Sequence, residues 1–204
     1  MARKPANTTT ARVLALARRQ GVIRLRDLAA RGIHPEHIRR LCDRGLMTKV
    51  GRGLYALADR EPSEHLDLIE AAQRVPHGVV CLLSALHFHG IGTQMPREVW
   101  MLIDRRAHKP RVDDPPMRFL RASGAALTEG VQRHTLDGVK VAITVPAKTV
   151  ADCFKYRNKI GLDVALEAVR DYWRGRHGTV DTLVKFARID RVERVMRPYL
   201  EATI

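Results

Sequence analysis

The chain has 204 residues and a formal net charge of +14 at pH 7, with 45% hydrophobic residues and three cysteines. That length allows one larger domain or two small ones with true cores, and no apolar run is long enough to cross a membrane. The opening MARKPANTTT lacks the apolar stretch and small-residue cleavage site of a secretory signal. Cys42, Cys81 and Cys153 lie far apart with no CxxC pair, which argues against a zinc finger or a disulfide framework and for reduced core thiols in a cytoplasmic protein. The charge is uneven. Residues 1–58 hold thirteen Lys or Arg against three acids, a net of +10, residues 59–146 are neutral, and residues 147–204 carry +4. A basic N-terminal quarter implies a polyanionic partner, most simply duplex DNA.

In chain order, Met1 to Thr8 is polar, with Arg3 and Lys4 as a terminal arm, and one of Thr8 to Thr10 is placed to cap a first helix running to about Gln20. Val22 to Leu25 reads as a short strand. Two helical patterns follow, Arg26 to Arg31 and Pro35 to Arg44, joined by Gly32-Ile33-His34. Pro35 suits a first-turn position, His34 is a cap candidate and Gly45 a stop. At 100° per residue Ile38, Leu41 and Cys42 share one face, while Glu36, Arg40 and Asp43, flanked by His37, Arg39 and Arg44, occupy the other. Leu46 to Val50 and Leu54 to Leu57 form a hairpin closed by Gly51-Arg52-Gly53. Helix, turn, helix, basic hairpin is the order of a winged helix-turn-helix. An arginine-rich face suits the major groove, and the expected DNA-binding set is Glu36, His37, Arg39, Arg40, Arg44, Lys49, Arg52 and Tyr55.

Ala58 to Ser63 (ADREPS) is polar with a proline and marks a boundary, so that 1–58 is the DNA-binding domain and 59–204 a second one. Ser63 is placed to cap a helix over Glu64 to Arg74. Gly78 to Leu83 reads as a buried strand, Ser84 caps the short helix ALHFHG, and Val99 to Ile103 and Met117 to Arg121 are strands separated by a basic, proline-rich loop. Val131 to Leu136 and Val139 to Val145 flank the hairpin turn Asp137-Gly138. From Ala147 on, helical spacing dominates. The fold class is α+β, with a small mixed or antiparallel sheet and packed helices in the second domain.

Catalytic chemistry finds little support. His87 and His89 at i and i+2 of a helix point to different faces and chelate poorly. Asp104, Asp113 and Asp114 lack the Glu-x-Lys that a metal nuclease wants. No Walker loop, GxGxxG or GxSxG occurs. The expectation is a protein that is not an enzyme and uses no cofactor and no metal. Asp152, among apolar neighbours in KTVADCFKYR, reads as a buried carboxylate that fixes a loop by hydrogen bonds. Lys148, Lys155, Arg157 and Lys159 make the exposed side of that region basic, either a second anion-binding face or a solvated one.

The combination GVIRLRDLAARGI…IRRLCDRGLMTKVGRGLYAL, CLLSALHFHGI, and ITVPAKTVADCFKYR followed by LDVALEAV resembles the AbiEi antitoxins of bacterial toxin–antitoxin operons, over about residues 9 to 175. The resemblance implies an autorepressor binding promoter inverted repeats, a monomer off DNA with two or more copies on the repeats. It also implies a C-terminal domain that counteracts a nucleotidyltransferase-like toxin, a functional partner whose direct contact the resemblance does not require. It would make Arg39, Arg40 and Arg44 read or clamp DNA, and send Lys49 and Arg52 to the backbone or minor groove. The residues by themselves leave two other readings open: a one-component regulator with a ligand- or partner-sensing C-terminal domain, and a nuclease delivered by a winged helix.

Overall fold

The computed structural model describes residues 9–60, 63–112 and 114–202. Arg3, Lys4 and Asp113, and a helix cap at Thr8, lie outside the described residues. The chain divides into two compact units, one of residues 1–70 with 135–140, the other of 71–134 with 141–204.

The first unit begins with α1 (Thr9–Gln20), β1 (Ile23–Arg24), α2 (Leu25–Ala29) and α3 (Pro35–Asp43), then the hairpin β2 (Met47–Gly51) and β3 (Leu54–Leu57). Its antiparallel sheet has the order β1-β3-β2, so the short strand expected at Val22 to Leu25 does pair with the hairpin, Ile23 opposite Tyr55. Val13 and Ala17 of α1, Leu28 of α2, Ile38 and Leu41 of α3, and Ile23 and Met47 of the sheet close one core. Each of the larger of these side chains contributes about 1.5–3 kcal/mol through burial. This is a winged helix-turn-helix.

The second unit's elements are α4 (Leu66–Arg74), β4 (Val79–Val80), α5 (Leu82–His89), β5 (Val99–Asp104), β6 (Met117–Ala122), α6 (Ala125–Thr128), β7 (Val131–Leu136), β8 (Val139–Thr144), α7 (Pro146–Lys155), α8 (Arg157–Ile160), α9 (Leu162–Arg174), α10 (Val180–Ile189) and α11 (Glu193–Glu201); α4 spans the division, as do β7 and β8, whose ends around the turn, residues 135–140, fall in the first unit. The five strands run β6-β5-β4-β8-β7. β4 is antiparallel to β5 and parallel to β8, and β5 is parallel to β6, so the sheet is mixed. Both Asp137 and Gly138 have positive φ, 46° and 77°, the backbone that a two-residue turn with matching twist requires. Leu82, Leu86, Val150, Phe154, Ala165, Val169, Tyr172 and Phe186 pack in the unit's core.

Two local expectations fail in this unit. The apolar run GVVCLL is a strand only at Val79–Val80, because Cys81 caps a helix that starts at Leu82. Ser84 does not cap that helix. It is buried inside it, where its Oγ accepts from Trp100 N at 3.0 Å and donates to Glu98 O at 3.4 Å, tying α5 to β5. Ser63 does turn the chain before α4, accepting from His65 N at 3.4 Å.

The expected basic face around α7 also needs correction. Lys148 is 1% exposed and lies in the core with Asp152, also 1% exposed. Its Nζ donates to Asp152 one turn on and to Asp190 Oδ2 at 3.0 Å, and Lys155 Nζ donates to Asp190 Oδ1 at 2.9 Å. Two ammonium and two carboxyl groups thus join α7 to the end of α10. A charge withdrawn from water needs such partners, which is why Lys148 faces inward. Asp152 is the buried carboxyl expected from its neighbours, but it holds a lysine of its own helix rather than a loop, and its Oδ2 has no hydrogen-bond partner.

Burial pushes the Asp152 carboxyl up to about 8, against the pull of Lys148. Burial works to lower the Lys148 pKa, and Asp152 and Asp190 outweigh it and raise it. Asp152 therefore binds its proton more tightly in the folded chain than in the unfolded one, whose value is near 3.8. Its contribution to stability is complete below that value and is lost as pH rises through about 8. Urea unfolding at pH 5, 7 and 9 should show this decline in the wild type, and Asp152→Asn, which cannot ionise, should flatten it. An equally steep decline in the variant would remove Asp152 as its source.

Candidate nucleic-acid interface

The N-terminus of α3 is built as its sequence anticipates. Pro35 occupies the first turn, and His34 Nδ1 accepts from Glu36 N at 3.2 Å. At the other end Gly45 adopts φ 66°. Gly45 N donates to Cys42 O at 2.9 Å and Leu46 N to Leu41 O at 3.0 Å, the paired bonds that close a helix through a left-handed residue. One residue after Leu46 the wing begins. Helix α3 and the wing are thus joined by a turn of fixed geometry.

Between those ends Ile38 and Leu41 are buried, and Arg39 and Arg40 stand 75% and 68% exposed. Neither arginine is free of acid. Glu36 lies 3.5 Å from Arg40 Nε and 3.9 Å from Arg39 Nη1, and Asp43 lies 4.0 Å from Arg39 Nε. Exposed pairs of this length are worth about 0–1 kcal/mol, so a phosphate or base edge competes with them on favourable terms. His37 is half-buried and Arg44 exposed at the helix's end.

The wing is a hairpin with Met47 opposite Leu57, Thr48 opposite Ala56 and Lys49 opposite Tyr55. The register shifts between Lys49 and Gly51, a bulge that increases local twist at the tip. Leu25 N donates to Gly53 O at 2.9 Å, which fastens the tip's base to the start of α2. Arg52 and Lys49 are exposed, whereas Tyr55 is half-buried against the unit's core. Of the eight side chains singled out from sequence, Arg39, Arg40, Arg44, Lys49 and Arg52 offer their cationic ends to solvent. Tyr55 is first a packing residue.

The C-terminal set does not form one face. Lys148 is in the core, Lys155 is held by Asp190, and Arg157 Nη1, from the start of α8, donates at 2.8 Å to Phe154 O at the end of α7. His89 is a structural histidine, its Nε2 2.7 Å from Thr144 O, and burial lowers its pKa. Among the described residues no group of three or more His, Cys, Asp or Glu could hold a metal ion, and no helix is long and apolar enough to cross a membrane.

Residues 11–58 match the family of transcriptional regulators described as AbiEi antitoxins. The match covers most of α1, then β1, α2, α3 and the wing, and so the capped helix and hairpin described above. The fold of the longer chain also has a precedent. The crystal structure of the RV2827C protein from Mycobacterium tuberculosis superposes with a TM-score of 0.57, covering 91% of this chain and 73% of that one at 16% identity. That identity supports a shared fold and no more. Curated protein sequences give no match.

Since a Cβ at Gly45 would meet no atom within 4 Å, Gly45→Ala is a clean test of the turn between α3 and the wing. The cost should be the left-handed backbone alone, about 1–2 kcal/mol, measured as a loss of unfolding free energy. A neutral result would mean that the turn does not constrain α3 and the wing.

Proposed function

We propose that this chain is a promoter-binding autorepressor and antitoxin of an AbiE-like operon. In this reading residues 1–58 bind duplex DNA at inverted repeats, and residues 59–204 counteract a nucleotidyltransferase-like toxin without a required tight complex. The observation that carries it is the pairing of an arginine-faced helix, capped at both ends, with a basic wing one turn away, in the segment that matches the AbiEi regulators. The excess of basic residues over residues 1–58 supports a polyanion as partner. The antitoxin half rests on the family match and the resemblance, and its test is rescue of a cell from the neighbouring toxin by the intact chain.

Within the site the roles divide by position. Arg39 and Arg40 project from the middle of α3 and are assigned to base edges. Arg44, Lys49 and Arg52 are assigned to phosphates. Glu36 holds both helix arginines between turns and is the acceptor that can read an exposed cytosine amine.

Fluorescence anisotropy on the chain's own promoter and on a scrambled duplex, over a salt series, tests the assignment. Arg40→Ala should cost about 1–3 kcal/mol on the promoter and far less on the scrambled duplex. Arg52→Ala should weaken both alike and reduce the salt slope by about one. Equal losses on both duplexes for Arg40→Ala would end its base-reading role.

Glu36→Gln releases Arg40 from its carboxylate and leaves Arg39 with Asp43 alone. Binding to scrambled DNA should rise by about two- to fivefold, the equivalent of 0.5–1 kcal/mol, and the ratio of promoter to scrambled affinity should fall. An unchanged ratio would show that Glu36 neither restrains the arginines nor reads a base.

A further inference from the structure

The second unit contains a cavity of 580 Å³ lined by Arg105, Arg121, Lys155, Arg191, Asp190 and Ser123 among others. Its volume is within the roughly 300–1,000 Å³ of small-molecule sites, yet its wall is cationic. The one carboxylate in the lining is Asp190, and its oxygens already accept from Lys148 and Lys155. Among the described residues no carboxylate pairs with Arg105, Arg121 or Arg191. The Arg121 guanidinium is held through Nη1 alone, donating to Arg105 O at 2.6 Å and Ala107 O at 2.9 Å.

Arg191 adds a second line of argument. It closes α10 with φ 59°, Arg191 N donating to Arg188 O at 3.0 Å and Val192 N to Ala187 O at 2.8 Å. That is the motif Gly45 forms at the end of α3, here carried by a side chain that strains the backbone. Arg176 closes α9 in the same way with φ 53°, but does not line the cavity. A strained helix end alone therefore does not mark a binding site. What distinguishes Arg191 is that the strained turn puts an arginine at a cavity already short of anions.

We propose that this cavity binds a small anion with two or more phosphoryl groups, such as the di- or triphosphate of a nucleotide. Three guanidinium groups without a carboxylate partner, and a lysine, match several negative charges at once, and arginine's planar fork suits phosphate oxygens. Lys155 gives the site a route into the fold. It shares Asp190 with Lys148, so an anion drawing on Lys155 alters the charge balance of the pair linking α7 to α10.

Isothermal titration calorimetry of the full chain with inorganic pyrophosphate, at fixed ionic strength and without divalent metal, tests this directly. The wild type should bind one equivalent saturably. Arg191→Gly should lose at least tenfold in affinity while its thermal midpoint stays level or rises, because glycine relieves the left-handed residue. Arg176→Gly removes the same charge and the same strain away from the cavity, and should bind as the wild type does. Absence of saturable heat in the wild type, or an equal loss in both variants, would overturn the site. So would a wild type that ignores pyrophosphate while Arg191→Gly loses affinity for duplex DNA, which would make this surface a nucleic-acid contact.

Discussion

The buried Lys148, Asp152 and Asp190, with the half-buried Lys155 beside them, fix how α7 meets the end of α10. Apolar packing tolerates small shifts, whereas a lysine with 1% of its surface exposed does not tolerate the loss of its carboxylates. The register of α7 against the end of α10 follows from this, since Lys148 reaches Asp152 along its own helix and Asp190 across to the other. The same contact decides where the chain leaves α10. Asp190 is the helix's C-cap, and the strained Arg191 comes immediately after it. One buried carboxylate thus serves core, helix end and cavity wall together.

That dependence explains which parts of the molecule could be read from sequence. The winged helix was legible because its rules are local. Pro35, Gly45 and the Gly51-Arg52-Gly53 tip each fix a backbone conformation within a few residues, and Ile38 and Leu41 declare their face by spacing alone. Asp137-Gly138 was legible for the same reason. In the second unit the deciding partners are distant in sequence. Nothing near Lys148 announces Asp190, 42 residues away, and an amphipathic pattern places a lysine on the outside by default. The available signal was the spacing of Lys148 and Asp152, a cation and an anion one turn apart in a helix whose other residues are mostly apolar or small. Ser84 misled for a related reason, since a serine before a helical run suits a cap unless a neighbouring strand claims its hydroxyl, as Trp100 N does. The run GVVCLL was ambiguous in principle, because a short continuous apolar stretch fits a buried strand and a buried helix equally.

The candidate site divides in the same way. Residue identities on α3 and the wing were readable, but their pairing was not. Glu36 sits among the sequence-derived set as one more polar residue, and in the folded helix it lies between Arg39 and Arg40. Tyr55 was grouped with the wing cations by proximity along the chain, whereas its register opposite Ile23 and Lys49 makes it part of the sheet's packing.

The balance of charge within α3 bears on how such a domain would work on DNA. Pro35–Asp43 holds two arginines and two acids, so the helix by itself is electrically neutral, and the surplus of residues 1–58 lies elsewhere, on Arg3, Lys4, Arg12, Arg18, Arg19, Arg24, Arg26, Arg31, Arg44, Lys49 and Arg52. A recognition helix loaded with unpaired arginines would bind any duplex tightly, because phosphate attraction carries no sequence information. With Glu36 and Asp43 beside its arginines, α3 gains little from phosphates in general. It gains more where a base edge offers a better partner than the carboxylate it displaces. On the proposed reading, affinity comes from the cations around the helix and discrimination from the helix itself. The acids on α3 are then as necessary to specificity as the arginines they restrain.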